Sequence, residues 1–579
     1  MELVLKEWTA SKFSIFEHRL FGYTQGLLRK IFLYFLVHIS RIFNFLYGLF
    51  TIHEVVTNVR DKLDPLVTSF LDDEYELNVR RKHGDTLIHT AVRQEHLDWL
   101  IELLLSGGDL EVPDVDGNSP LHTATQLNNI DLVNALVSFN ADVNVKNKNG
   151  ETPRHLAAKQ GEQAADVIRA LHHVGAKRCD VIMADCKDGC SHDGQFNGSD
   201  LVSPCNISDD MYHVYDPFLE STIESLKRRA KNTPLSKGQS RHAETVLCLD
   251  GGGIRALVMI LILEAIERAS DRRIVDSFDW IAGTSAGSVL GSALVHGYSL
   301  LGCRRVFFDF KDELFHGQPP FDGERFFGLS RRLTHGKDLK MKELKYKKPK
   351  LLIATTLANR SPPSLHFFRN FDPPVTSSTR IVSQAGNFTN APLADPTDEM
   401  VCKCIRASCS APTYFTPFEN FLDGGIFCNN PTNDAITEIV EYNMSLELKG
   451  ETPPPLGAVI SVGSGSGPIR AVEDISFVYP KSISDIFRAL QKLTAAANVG
   501  DVIVQTQMTD SRFRPVDRSR AWCHSMGTAF FRLSPVLSRD YELSMIDNRE
   551  IVKMLWETQV YLYQNKDKFD TIGLLLNNI

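Results

Sequence analysis

A serine between two glycines stands where an apolar strand is predicted to give way to a helix. In the segment SFDWIAGTSAGSVLGSALVHG, Ser285 lies between Gly283 and Gly287. Flanking glycines permit the sharp strand-to-helix turn that exposes a serine hydroxyl as a nucleophile. The pattern G-x-S-x-G often occurs by chance in a long chain. At this junction, however, it favours attack on a carbonyl over simple helix capping by Ser285 or Thr284.

A serine hydroxyl needs a base, and the better candidate is a carboxylate. Asp423 ends the apolar approach in NFLDGGIFCNNP and is followed by Gly424 and Gly425. A partly desolvated carboxylate held at such a turn can accept the proton directly, which predicts a Ser-Asp dyad. Alone, the sequence DGG would favour a plain turn, and only the neighbouring motifs reverse that preference. The downstream histidines lack a comparable setting, and they are His296, His316, His335, His366 and His524.

A glycine-rich turn is the third candidate element. The run VLCLDGGGIRALVMILILEAIERAS predicts a strand, a turn and a long apolar helix. Gly251, Gly252 and Gly253 let the backbone approach a ligand closely, and their amides lie at the positive end of the helix. These amides are predicted to form an oxyanion hole. A phosphate loop is the alternative, but GGGIRA lacks the Gly-Lys-Ser/Thr ending and the dinucleotide-binding spacing.

Strand, turn and helix follow one another around both glycine motifs. This order is typical of an α/β layer. We therefore expect an α/β domain in which a central, mostly parallel sheet is flanked by helices. Such a sheet would have to bring the three motifs together.

An internal repeat precedes this domain. The patterns TLIHTA, SPLHTA and TPRHLA begin at Thr86, Ser119 and Thr152, 33 residues apart, and the run that ends at Gly84 predicts one more repeat upstream. The pattern resembles the ankyrin repeat, which implies a turn and two antiparallel helices in each copy and a concave protein-binding face. Its three histidines could be mistaken for metal or catalytic residues, but we expect them to hydrogen-bond locally and fix the turn; they are His89, His122 and His155.

With 579 residues, the chain is long enough for several domains. We expect an N-terminal helical, interfacial segment at residues 1–65, ankyrin repeats at 66–182, a linker at 183–243 and a catalytic domain at 244–579. The core motifs of that domain fall within residues 246–431.

The N-terminal segment contains an apolar stretch, Ile31 to Phe50, of bilayer-spanning length. Its centre is interrupted by His38, Arg41 and Asn44. A membrane span is therefore disfavoured. A buried helix and an interfacial helix remain equal alternatives.

Composition limits the partners. A net charge of −8 and a pI of about 6.2 give no global electrostatic case for nucleic acid. Scattered cysteines and the lack of a signal-peptide pattern predict reduced thiols in a cytoplasmic chain. One stretch is rich in cysteine and histidine, but its spacing fits no standard zinc module, so we expect a loop without metal. Its residues are Cys179, Cys186, Cys190, His192 and Cys205.

With DGGGIR, GTSAG and DGG in this order, the second half resembles the patatin-like phospholipases, and in particular the ankyrin-bearing, calcium-independent phospholipases A2 of group VI. The tail segments RSRAWCHSMGTAFFRLSP and MLWETQVYLYQ are similar to that group as well, so the likeness covers roughly residues 80–579. The resemblance implies that Ser285 is the nucleophile, Asp423 the base and Arg255 a supporting basic residue. Two positions depart from the family pattern, where Ala256 and Ser288 replace glycines.

The resemblance further implies hydrolysis of the sn-2 acyl ester of glycerophospholipids through an acyl-serine intermediate, with no metal or cofactor. Lysophospholipase and thioesterase activities are implied as side reactions. Two alternatives stay open. One is an ankyrin scaffold with an inactive lipase domain, and the other is an esterase with a Ser-His-Asp triad.

Membrane contact is expected because the implied substrate resides there, whether in a mitochondrial or another organelle membrane. Between Arg331 and Lys350 the chain has nine Lys or Arg residues, a basic strip that could engage anionic headgroups or be a solvated loop. The resemblance also implies calmodulin binding near Trp522 to Leu533 and self-association. We therefore expect a peripheral membrane enzyme with a protein partner on its ankyrin face.

Overall fold

The structure is a computed structural model, and it describes residues 78, 85–179, 190, 216–232, 243–344, 349–372, 397–468 and 514–579. The predicted N-terminal segment and its apolar stretch lie outside these residues. By internal contacts the chain divides into Met1–Glu76 and Leu77–Ile579, and every described residue belongs to the second unit. No helix in the described ranges is long and apolar enough to cross a membrane.

Three helix pairs form the ankyrin array, as the repeat pattern predicts. The first helix of each pair starts directly after the motif residue Thr86, Ser119 or Thr152, whose backbone is extended. Apolar residues at helical spacing bury the inner faces of the pairs. The helices are α1 (Leu87–Arg93), α2 (Leu97–Leu105), α3 (Pro120–Gln126), α4 (Ile130–Ser138), α5 (Pro153–Lys159) and α6 (Ala165–His173).

The first two repeat histidines hold the turns, as expected. His89 Nδ1 lies 2.9 Å from the Thr86 hydroxyl, and its Nε2 donates to the Asn118 carbonyl at 3.0 Å. His122 repeats both contacts with Ser119 and Glu151 at 3.0 Å each. Burial lowers the pKa of both rings, so each stays neutral and can accept at one nitrogen while donating at the other.

The segment predicted as a linker contains a helix, α7 (Asp216–Asn232). Ile223 and Leu226 are buried while most other described side chains of the helix are exposed. Two apolar residues in a polar helix are too weak a pattern to stand out among the surrounding Asp, Gly, Ser and Asn. The predicted connector thus contains one helix with two buried apolar residues.

The C-terminal half (residues 244–579) is built on a mixed, mostly parallel sheet in the order β4-β3-β2-β1-β6-β7, with β5 also paired to β3. Neighbouring strands are parallel except where β4 and β5 run antiparallel to β3. This confirms the predicted fold class. The strands are β1 (Glu244–Leu249), β2 (Trp280–Thr284), β3 (Lys350–Leu357), β4 (Ser364–Arg369), β5 (Phe421–Asp423), β6 (Leu456–Val462) and β7 (Ala529–Leu533).

Helices cover both faces of the sheet. Val246, Cys248 and Trp280 join one apolar core with Ile436 and Val516, which belong to helices on that face. On the opposite face, the helix after Ser285 packs on Leu249 and Ile281. The helices of this half are α8 (Ala256–Ser270), α9 (Ile274–Ser277), α10 (Ala286–Val295), α11 (Leu300–Leu314), α12 (Gly323–Arg332), α13 (Val401–Ser408), α14 (Gly425–Cys428), α15 (Thr432–Glu447), α16 (Arg514–Met526), α17 (Asn548–Gln564) and α18 (Lys566–Asn578).

The array packs directly on the C-terminal half, chiefly through α4 and α17. The buried Arg304 side chain pairs with Glu264 at 2.7 Å, donates to the Ser138 carbonyl at 3.1 Å and lies over the Phe139 ring. Trp556 of α17 donates to the Ala170 carbonyl at 3.2 Å. The second helices of the repeats are thus partly covered, while the loops that lead into the second and third repeats line an open groove.

Candidate active site

Ser285 occupies a strained elbow between β2 and α10. Its φ of +51° and ψ of −122° are rare for a residue with a side chain. A Cβ at Gly283 would lie 2.3 Å from the Gly287 carbonyl oxygen, and a Cβ at Gly287 would lie 2.3 Å from that of Leu249. Both glycines are therefore required by close backbone approach. The Ser408 hydroxyl accepts the Ser285 amide at 2.9 Å and holds the elbow in place.

The register of β3 explains how Asp423 reaches this elbow. β2 pairs with β3 up to Thr284 opposite Ala354, and β5 pairs with the next β3 residues, beginning with Asp423 opposite Thr355. Because β4 already occupies the other side of those β3 residues, β5 continues the position of β2. Asp423 therefore follows Thr284 almost end to end, next to Ser285.

Asp423 is buried and has the electrostatic character of a base near neutral pH. Burial raises its pKa to about 7, against the opposing effects of the Gly425 amide and the Ser285 hydroxyl. The Gly425 amide donates to Oδ1 at 2.7 Å, while Oδ2 forms no hydrogen bond of ordinary geometry with any described residue. The contact with Ser285 is thus looser than a normal hydrogen bond, as is common in unliganded active sites. It leaves Oδ2 as the oxygen able to take a proton.

The glycine turn lies beside the nucleophile, but its three amides differ. A Cβ at Gly251 would come within 3.2 Å of the Ser285 Cβ, which places the turn next to the elbow. The Gly251 amide donates to the Asn429 carbonyl at 3.1 Å and is therefore occupied. The amides of Gly252 and Gly253 donate to no described residue. The proposed oxyanion hole therefore keeps the Gly252 and Gly253 amides and excludes the Gly251 amide.

Two ion pairs stabilise the glycine turn, and most of the residues that form them were not predicted from the sequence. Asp250 is buried against Arg532, with a shortest N···O distance of 2.5 Å, and this pair opposes the rise of the Asp250 pKa on burial. Arg255, the predicted supporting residue, pairs with Asp540 at 2.9 Å. The Leu543 carbonyl accepts the Ile254 amide at 2.9 Å. Neither the spacing nor the composition of the C-terminal residues signals these contacts.

The predicted supporting glycines and the two residues that depart from the family pattern are closely packed by their neighbours. A Cβ at Gly424 would lie 2.4 Å from the Ala354 carbonyl oxygen, and one at Gly425 would lie 2.9 Å from Asp423 Oδ1. Ser288 donates to the Ser285 carbonyl at 2.6 Å, so its hydroxyl stabilises the elbow from within α10. Ala256 is fully buried at the start of α8. Neither departure removes a group that could react.

Ser285 opens into a small apolar cavity of about 80 Å³. No histidine is among the described residues that line it. His366 instead packs between Phe368 and Phe421, and burial lowers its pKa to about 3. Aromatic side chains form much of the wall, namely Phe307, Phe310, Phe315, Phe326, Tyr414 and Phe415. Its apolar and aromatic lining suits a hydrocarbon chain.

The structure modifies both predicted partner segments, since ion pairs neutralise part of the basic strip and part of the calmodulin segment is buried. In the basic strip, Arg331, Arg332 and Lys340 pair with carboxylates at 2.6–3.0 Å, which neutralises part of its charge. In the predicted calmodulin segment Trp522 is half exposed, but Phe530 and Phe531 are buried in β7. A single exposed target helix therefore does not run through that segment.

Comparisons with known proteins match both halves. A family model described as patatin-like phospholipase matches residues 247–436, and one described as ankyrin repeats (3 copies) matches residues 53–147. The chain is similar to the 85/88 kDa calcium-independent phospholipase A2 of Rattus norvegicus, 39% identical over 342 residues, which are 59% of this chain and 41% of that protein. It is also similar to the intracellular phospholipase A2 of Caenorhabditis elegans, 28% identical over 427 residues, 72% of this chain and 37% of that protein. The chain thus spans less than half the length of these relatives.

Proposed function

We propose that this chain, in which ankyrin repeats precede a patatin-like phospholipase domain, is a calcium-independent phospholipase A2. It cleaves the sn-2 acyl ester of glycerophospholipids and releases a fatty acid and a lysophospholipid. The observation that carries the proposal is the buried Asp423 carboxylate in contact with Ser285 at the edge of an aromatic cavity. The names of the relatives support the substrate class.

In the proposed mechanism, Ser285 Oγ attacks the ester carbonyl while its proton moves to Asp423 Oδ2. The Gly252 and Gly253 amides donate to the developing oxyanion, which is how backbone dipoles lower such barriers without a metal. The proton on Asp423 then passes to the departing lysophospholipid oxygen, and an acyl-serine remains. Asp423 next takes a proton from water, whose oxygen attacks the acyl-serine. As the bond from the acyl carbon to Ser285 Oγ breaks, that proton passes from Asp423 to Oγ, which restores the Ser285 hydroxyl and the carboxylate and frees the fatty acid.

The proposal assigns residues 244–579 to catalysis and residues 66–182 to the ankyrin array, whose loop face is the place for a protein partner. The enzyme works in the cytoplasm and visits membranes peripherally. Lysophospholipase and thioesterase activities follow from the same acyl-serine chemistry. Calmodulin binding and self-association are secondary parts of the proposal.

The test is the release of labelled fatty acid from the sn-2 position of phosphatidylcholine vesicles with calcium chelated. We expect Ser285→Ala to lower kcat by at least about 10⁴-fold, because removing a serine nucleophile abolishes the covalent route. Ser299→Ala, an exposed helix cap on the same domain, is the matched control and should keep full activity.

Three outcomes would contradict the proposal. An inactive wild-type chain would favour the ankyrin scaffold. Release of sn-1 label instead of sn-2 label would change the regiochemistry. A fully active Asp423→Asn variant that loses activity on substitution of a histidine would favour the Ser-His-Asp esterase.

A further inference from the structure

The third repeat histidine lies against two cysteine sulfurs. His155 Nδ1 is 3.3 Å from Cys179 Sγ and 3.5 Å from Cys190 Sγ, and the two sulfurs are 2.9 Å apart. Nitrogen and sulfur ligand atoms from all three residues thus lie within 4.8 Å of one another. His155 and Cys190 are fully buried, and Cys179 is half-buried.

The same motif position has a different role in the other two repeats. In the first and second repeats, Nδ1 faces the hydroxyl of the residue before the helix at 2.9 and 3.0 Å. In the third repeat, the Thr152 hydroxyl accepts the His155 backbone amide at 3.2 Å, while Nδ1 of the ring faces the two sulfurs. The His155 ring is therefore turned from the turn-fixing geometry toward the sulfurs.

We propose that His155, Cys179 and Cys190 bind a zinc ion at the end of the ankyrin array. Imidazole nitrogen and thiolate sulfur are preferred zinc ligands. Tetrahedral zinc with bonds of about 2.0–2.3 Å separates a nitrogen and a sulfur ligand by roughly 3.6 Å, close to both distances at His155. The two sulfurs would move apart by about 1 Å to reach the tetrahedral separation of roughly 3.8 Å. Three protein ligands leave one further ligand to complete the tetrahedron.

The surrounding charge favours the thiolates that zinc requires. Arg154 is buried beside the cluster, and its guanidinium donates to the Ala176 carbonyl at 2.6 Å and to the Cys190 carbonyl at 3.4 Å. A neighbouring cation stabilises a thiolate. Binding releases one proton from each thiol, and two thiolates with a neutral imidazole leave the zinc complex without net charge.

A zinc ion at this position would cap the last repeat of the ankyrin array. Each internal histidine reaches a carbonyl 29 residues ahead in the next repeat, but the third repeat is followed by the segment that contains Cys179 and Cys190. A terminal repeat needs a cap because it has no further neighbour to cover it. The zinc ion would tie residue 190 to the last repeat and serve as that cap.

The test uses the full chain, purified under reducing conditions without chelator and supplied with Zn²⁺ alone. We expect about one zinc per chain by plasma mass spectrometry. In Cys179→Ser and Cys190→Ser, zinc affinity should fall by more than the roughly 10–100-fold caused by losing a residue that merely orients a ligand. His155→Asn should behave in the same way. His122→Asn, which changes the matching histidine of the preceding repeat, and Cys402→Ala, a buried thiol of the catalytic half, should both retain zinc.

A measurement on the wild-type chain tests the site even where a variant fails to fold. The Co²⁺-substituted chain should show the thiolate-to-cobalt charge-transfer band of cysteine ligation. Absence of that band, no zinc uptake, or a Cys179–Cys190 disulfide under these conditions would overturn the proposal. So would equal zinc loss in His122→Asn. Because Ser285→Ala should keep its zinc, failure of the zinc site and failure of the proposed enzyme activity are distinguishable.

Discussion

In the first two ankyrin repeats, the histidine contacts that fix the turns join residues 3 or 29 positions apart, whereas the proposed dyad joins residues 138 positions apart. The first two repeats share one local arrangement, in which burial lowers the pKa of His89 and His122 and keeps both rings neutral. The sheet domain uses each polar motif once, at a strand end, and burial there raises the pKa of Asp423. Repetition therefore marks structure in this chain, whereas Asp423 differs from the ion-paired Asp250 as the buried acid proposed for chemistry.

The largest effect should follow from Asp423→Asn. We expect sn-2 hydrolysis to fall by about 10²–10⁴-fold, the usual contribution of a general base. The same variant should be more stable at pH 8, by roughly 1–4 kcal/mol, because the raised pKa means that the ionised carboxylate destabilises the folded state. Urea unfolding at pH 8 and pH 5 checks this, and the gain should shrink at pH 5. A variant that is both inactive and less stable would contradict the assignment of Asp423 as a base.

Asp250, a buried acid of the sheet domain with a structural role, gives a second test of this comparison. Arg532→Gln leaves Asp250 buried without its partner, and we expect a loss of about 3–5 kcal/mol in unfolding free energy. Adding Asp250→Asn should recover part of that loss, since the buried charge is then removed. If Arg532→Gln alone unfolds like the wild type, the pair does not support the glycine turn.

The pH dependence of kcat/KM tests the base directly. Activity requires ionised Asp423, so it should fall about tenfold per pH unit below the pKa of about 7 and level off above it. A neutral, short-chain ester avoids titration of the substrate. A rate that stays constant from pH 5 to pH 8 would show that no group with this pKa acts as the base.

A smaller effect is expected in the array. His122→Ala removes contacts to Ser119 and to the Glu151 carbonyl, and leaving such buried groups unpaired costs about 1–3 kcal/mol. Ester hydrolysis measured well below the melting temperature should be unchanged. A selective loss of kcat in a folded His122→Ala chain would break the distinction between the two regions.

The smallest effect is expected at an exposed contact between them. Arg305 pairs with Glu102 at 2.8 Å, and both side chains are partly exposed. Arg305→Gln should change the unfolding free energy by at most about 1 kcal/mol, with less effect in high salt. A change of several kcal/mol would mean that this pair, rather than the apolar contact of α4 with α17, holds the regions together.

The sequence predicts the parts of this molecule that depend on local pattern. The 33-residue period identifies the helix pairs, and glycines on both sides of Ser285 identify an elbow whose close backbone contacts require them. The position of Asp423 depends instead on β5 continuing the line of β2, which no spacing reveals. The pairing of Asp250 with Arg532 and the turn of His155 toward sulfur depend on folding across distant segments. The occupied Gly251 amide is likewise visible only in three dimensions.

The packing of α17 against the array limits how the two halves can be separated. Ser138 lies 3.4 Å from the Val552 carbonyl, and Gln559 and Trp556 bond to Asn140 and Ala170 of the array. A fragment that begins at residue 244 would expose this apolar helix face to water and would be prone to aggregate. We therefore expect the two regions to unfold as one cooperative unit, so that a change that loosens the repeats shortens the lifetime of the whole folded chain.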